Sequence, residues 1–110
     1  MKPYILKNQE FLTFFNKLGK RTKLRLISNL NKEHINTISE VCKNFLKKNL
    51  TQEPRIIEKV KAARKEIRQV ALKTTPLYKK KKILQSRKGG FILSVLLPLA
   101  TTLISSLINK

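Results

Sequence analysis

Lys32-Glu-His-Ile-Asn-Thr-Ile-Ser-Glu-Val-Cys-Lys-Asn-Phe-Leu-Lys-Lys48 is the stretch on which the fold turns. Ile35, Ile38, Val41, Cys42, Phe45 and Leu46 recur at steps of three and four, the spacing that lines one face of an α-helix. Lys47 and Lys48 fall in its last turn, where the helix dipole favours cations. Toward the N-terminus, residues 8–18 read as a short helix with Phe11, Leu12, Phe14, Phe15 and Leu18 as its stripe, Asn8 as cap and Gly19 as stop. Residues 22–30 read as a second, with Leu24, Leu26, Ile27 and Leu30 apolar. Toward the C-terminus, Thr51-Gln-Glu-Pro54 starts a helix that runs to about Leu72 and ends at Thr74-Thr75-Pro76. Its apolar face is Ile57, Val60, Ala63 or Arg64, Ile67, Val70 and Ala71, and Phe45 and Leu46 are expected to pack on Val60 and Ile67. No stretch alternates with period two, so the fold class expected is all-α: a small basic helical bundle over residues 1–74.

The chain has 110 residues, 25 Lys+Arg against 6 Asp+Glu, and a net charge of +19. That length allows one domain with an appended segment. A lone cysteine excludes an internal disulfide and a cysteine-based zinc module. One histidine and six scattered acids leave little for a catalytic centre, so no enzyme, metal or cofactor is expected. No Gly-rich phosphate loop is present either, since Gly89-Gly90 lacks the required spacing. No secretory leader is expected from Met1–Leu12, which lacks a sufficient apolar run. His34 reads as a surface or capping residue and Cys42 as a small buried hydrophobe. The excess positive charge points to a polyanion: nucleic acid first, an anionic membrane second.

The charge is unevenly spread. The first 66 residues hold all six acids and 16 bases, a net of +10, while residues 67–110 hold nine bases and no acid. Tyr78-Lys79-Lys80-Lys81-Lys82 is followed by Arg87-Lys88 and Gly89-Gly90, and residues 75–90 read as a solvated basic linker because adjacent lysines repel one another. Lysine meets phosphate as a point charge and does not read bases. Lys79, Lys80, Lys81, Lys82, Arg87 and Lys88 are therefore the first candidate nucleic-acid contacts. Arg55, Lys59, Lys61, Arg64, Lys65 and Arg68 on the preceding helix are the second set. If roughly six phosphates are neutralised, log K falls with log[salt] at a slope of about −5. The lysine run also suits a nuclear localisation signal or the positive flank of a membrane segment. Helix–turn–helix recognition is the less favoured option, because the connection over 48–54 is longer than that motif's turn.

Residues 91–110 form the third part. Phe91–Ile108 is an uncharged run of 18 residues, at the lower edge of what spans a bilayer. Ser94, Pro98, Thr101, Thr102, Ser105 and Ser106 fall on one side of a helix drawn through it. Phe91, Leu93, Leu96, Leu97, Leu99, Leu103, Ile104 and Leu107 make the apolar remainder and are the candidate membrane contacts. The alternative is a last core helix packed on the bundle.

The junction Lys79-Lys-Lys-Lys-Ile-Leu-Gln-Ser-Arg-Lys-Gly-Gly-Phe-Ile-Leu-Ser-Val-Leu-Leu-Pro-Leu99 resembles a group of small basic proteins encoded by Polinton/Maverick elements and the related adintoviruses. Ile35–Leu50, the helix over 55–72 and the lysine run follow in that group's order. Over about 80–108 the chain is also similar to the adenovirus core protein X (mu) precursor, where a basic DNA-condensing segment meets Gly-Gly and an apolar, proline-containing tail. The resemblance implies a virion core protein that neutralises packaged double-stranded DNA, located in the virion interior and host nucleus, with capsid proteins as neighbours. It also implies a viral cysteine protease cutting at Gly89-Gly90 before Phe91, although Arg87 stands where that protease expects an aliphatic side chain.

Two functions of different class are thus expected from the sequence. One is a nucleoprotein that binds DNA, in preference to RNA, through phosphates without sequence specificity and carries a hydrophobic segment with membrane activity. The other is a membrane-anchored or membrane-disrupting protein whose basic linker lies on anionic lipid, with a nuclear or membrane-associated location.

Overall fold

A computed structural model describes residues 7–48 and 53–99. Its elements are helices α1 (Gln9–Asn16), α2 (Lys20–Ile27), α3 (Lys32–Lys48), α4 (Pro54–Ala62), α5 (Arg64–Ala71), α6 (Leu77–Leu84) and α7 (Arg87–Phe91), then a π-helical turn over Ile92–Leu96. The chain remains helical through residue 99, and no strand occurs among the described residues.

The central helix forms as its periodicity dictates. The Asn31 side chain accepts the His34 backbone N–H at 2.8 Å, capping α3 at its start. Ile35, Ile38, Val41, Cys42 and Phe45 are buried. This face packs chiefly on α5, which contributes Ile67 and Val70. Leu12 and Phe15 from α1, Ile27 from α2 and Leu84 from α6 complete the core with Ile92, Leu93, Leu96 and Leu97. Phe14 is 59% exposed and so leaves the stripe expected of α1; helix geometry sends it away once Leu12 and Phe15 face inward. Asn8 stands at the head of α1, but its side chain makes no capping bond. His34 stacks on the Phe11 ring, centroids 4.0 Å apart.

Further expectations are corrected. The single helix over 54–72 is two, broken at Ala63, whose φ of −103° and ψ of 9° leave the helical range. The Lys88 ammonium donates to the Ala62 carbonyl at 2.9 Å, diverting an acceptor at the break. Ala63, not Arg64, is the buried residue there.

The linker over 75–90 is not a linker. Pro76 presets the entry to α6, and Leu77, Lys80 and Leu84 turn one face inward. Lys80 is only 4% exposed, so its aliphatic stem occupies a place in the stripe that a hydrophobe would take.

The Gly-Gly pair expected to end that linker is helical. Ser86 caps α7 by accepting the Gly89 N–H at 3.2 Å, and both glycines are buried within that helix. A Cβ on Gly89 would collide with the carbonyls of Ile83 and Leu84, so only glycine lets α7 turn back against the end of α6.

Residues 91–99 of the apolar tail join the core through four buried side chains, with Phe91 and Leu99 half-buried against it. Ile92, Leu93, Leu96 and Leu97 are at most 1% exposed. The π turn is tied to α2 by Lys23, a buried lysine whose ammonium donates to the Leu93 carbonyl at 3.2 Å. No helix among the described residues is long and apolar enough to cross a membrane. Leu103, Ile104 and Leu107 lie outside the described residues.

Candidate nucleic-acid interface

Helical periodicity sorts the lysine run into different roles. Lys79 and Lys82 are exposed, and between them Lys80 turns inward. Its ammonium donates to Ser39 Oγ at 2.9 Å, and Ser39 in turn donates to the Ile35 carbonyl at 3.0 Å. Burial holds the Lys80 ammonium below the usual lysine range, and burial likewise pushes the Cys42 thiol beside it up to about 12. Lys80 is therefore withdrawn from the surface to which the sequence assigned it. Lys81 is half-buried and donates to the Ser28 carbonyl at 3.0 Å, which anchors α6 to the end of α2. The Gln85 amide reinforces this junction through the Leu24 carbonyl and Ser28 Oγ.

The second expected set is exposed. Arg55 and Lys59 on α4, and Arg64, Lys65 and Arg68 on α5, all face solvent, as does Lys61. Ile67 and Val70 hold the opposite face of α5 in the core.

The fold draws Lys59, Arg87 and Lys88 together with Lys20 around a cavity of about 560 Å³. Ala62, Ala63, Gly90, Phe91 and Val95 line it, together with Ser94, whose buried hydroxyl has no hydrogen-bond partner. Lys20 was not legible as part of this group, because it stands 39 residues or more from the others in sequence. Its signal is positional: it opens α2 just after Gly19, and α2 packs against the π turn.

Lys7 pairs with Glu33 at 3.0 Å, and Lys88 with Glu66 at 3.4 Å. Among the described residues, Arg55, Lys59, Arg64, Lys65, Arg68, Lys79, Lys82 and Arg87 make no ion pair. Tyr78, 73% exposed, stands next to Lys79 and offers a ring for stacking.

No group of His, Cys, Asp or Glu suited to a metal ion occurs among the described residues. The Gly90–Phe91 bond lies inside a helix whose glycines are buried, so the folded chain withholds it from a protease that needs extended backbone. Comparison of the chain with known protein families, with characterised proteins and with solved structures finds no match.

Proposed function

We propose that this chain is a nucleoprotein of the virion-core type, binding nucleic acid through phosphates without reading sequence. The observation that carries the reading is the set of exposed, unpaired cations on α4, α5, α6 and the start of α7. Such a surface gains free energy chiefly by releasing counterions from a duplex, a term that depends on phosphate spacing and not on base identity. Double-stranded DNA is preferred to RNA on the resemblance to Polinton/Maverick and adenovirus core proteins. Capsid proteins would be its neighbours and the virion interior and host nucleus its location.

A membrane role would have to extract Ile92, Leu93, Leu96 and Leu97 from the core, where they are almost wholly enclosed. That cost makes the lipid reading the second choice, resting on residues beyond 99.

The test is a duplex titration at several salt concentrations. The Lys79→Gln, Lys82→Gln double variant is expected to flatten the salt slope by about 2, at 0.9 per lost phosphate contact, equally on unrelated duplex sequences. An unchanged slope, or a loss confined to one sequence, would reject the proposal.

A further inference from the structure

Beside the connection from α5 to α6 lie two adjoining cavities, of about 440 and 330 Å³. Both are lined by Lys32, Asn36, Lys73 and Lys80. Ser39 lines the inner one, while Thr74, Thr75 and Leu77 line the outer one. Among the described residues, no carboxylate lines either cavity. Among the described residues, none of the three lysines has an ion-pair partner.

This is a different place from the surface described above. Lys80 is enclosed and held by a hydroxyl, Lys32 and Lys73 are exposed at the margin, and the neutral donors are the Asn36 amide and the hydroxyls of Thr74 and Thr75. Three lysines lining one pair of adjoining cavities need more than a single negative charge to balance them. Phosphate oxygens arranged tetrahedrally accept from directions spread in three dimensions, whereas the lone pairs of a carboxylate lie in its own plane. A phosphodiester in a duplex carries one charge and is flanked by sugars, so it fits the demand less well than a terminal phosphate.

We propose that the Lys32–Lys73–Lys80 cavity is a binding site for a multiply charged phosphate, either a free phosphate compound or the terminal phosphate of a nucleic-acid strand. The site does not depend on the duplex-binding reading, since it uses none of Lys79, Lys82 or the cations of α4 and α5.

Pyrophosphate is the probe, titrated calorimetrically into the full chain at low salt. Saturable binding at one site is expected. Lys32→Gln and Lys73→Gln should each weaken it about tenfold, the loss of one charge-assisted contact. Both residues are exposed, so neither substitution removes core; circular dichroism checks that helicity is retained. The Lys79→Gln, Lys82→Gln variant should bind pyrophosphate like the native chain while losing duplex affinity, which separates this site from the duplex surface. Competition by a 5′-phosphorylated oligonucleotide, but not by its 5′-hydroxyl twin, would identify a strand end as the source. Equal failure of both to compete would identify a free phosphate compound. The proposal is overturned if the native chain shows no saturable binding, or if the Lys32→Gln, Lys73→Gln double variant binds as the native chain does.

Discussion

Lys80 and Cys42 are both buried in the bundle, and their burial makes stability depend on pH in opposite senses. Lys80 and Lys23 have ammonium groups held below the usual lysine range by desolvation. Between that lowered value and the ordinary lysine value, the unfolded chain binds more protons than the folded one. Stability therefore rises with pH across that window. Cys42 acts the other way. Its thiol is pushed up to about 12 by burial, so above the ordinary thiol range the unfolded chain loses its proton first and stability falls. Substituting methionine for Lys80 removes a buried charge that has no ion-pair partner while keeping the stem. Lys80→Met is expected to stabilise the chain at pH 7 by about 1 kcal/mol. Urea midpoints from pH 7 to 10 should rise less steeply in this variant than in the native chain. Equal pH profiles would show that Lys80 is not desolvated. The Ser39 hydrogen bond is lost in the variant, but Ser39 keeps the Ile35 carbonyl as a partner.

At the scale of elements, the junction between α6 and α7 decides how the C-terminal third folds back. Gly89 sits where any side chain meets the Ile83 and Leu84 carbonyls. Gly89→Ala is expected to cost at least about 2 kcal/mol, because backbone must move to admit one methyl group. Gly90→Ala should cost less, since its Cβ would meet only the end of the Lys20 side chain, at 3.2 Å. Thermal melts of the two variants check this order; equal losses would mean that α7 is free to shift. The same junction shows where sequence reading stops. The helix over 32–48 was legible because its apolar stripe is unbroken for about three turns, from Ile35 to Leu46. The start of α4 at Pro54 was legible from its proline. Helix α6 was hidden because a lysine holds one position of its inward stripe, and the pattern Leu77, Lys80, Leu84 registers as apolar only when the lysine stem is counted. The helical, buried place of the glycine pair was hidden for a related reason. Glycine signals freedom in a chain taken alone, whereas here it answers a close approach that only the tertiary fold creates. Arg55, Lys59, Arg64, Lys65 and Arg68 were legible because exposed cations opposite an apolar stripe need no tertiary information. The cavities lined by Lys20 and by Lys32, Lys73 and Lys80 join residues distant in sequence, which no local pattern encodes.

At the scale of the whole molecule, two quantities fall close together. The longest dimension is 35 Å, and that length of duplex carries about 20 phosphates. The net charge of the chain is +19. One chain per footprint of about 10 base pairs thus nearly cancels the charge of the DNA beneath it. Self-repulsion between neighbouring duplexes then vanishes at about the loading at which adjacent chains touch. Condensation should set in steeply near one chain per 10 base pairs, read as light scattering from a long duplex titrated at low salt, and should reverse when salt is raised. The Lys79→Gln, Lys82→Gln variant carries two fewer charges, so its onset should move to a proportionately higher ratio of protein to DNA. An onset at the same ratio for both proteins would mean that shape or self-association, and not charge cancellation, drives packing. Onset far below one chain per 10 base pairs would point to bridging by single molecules, for which opposite faces of the bundle would each have to hold a duplex.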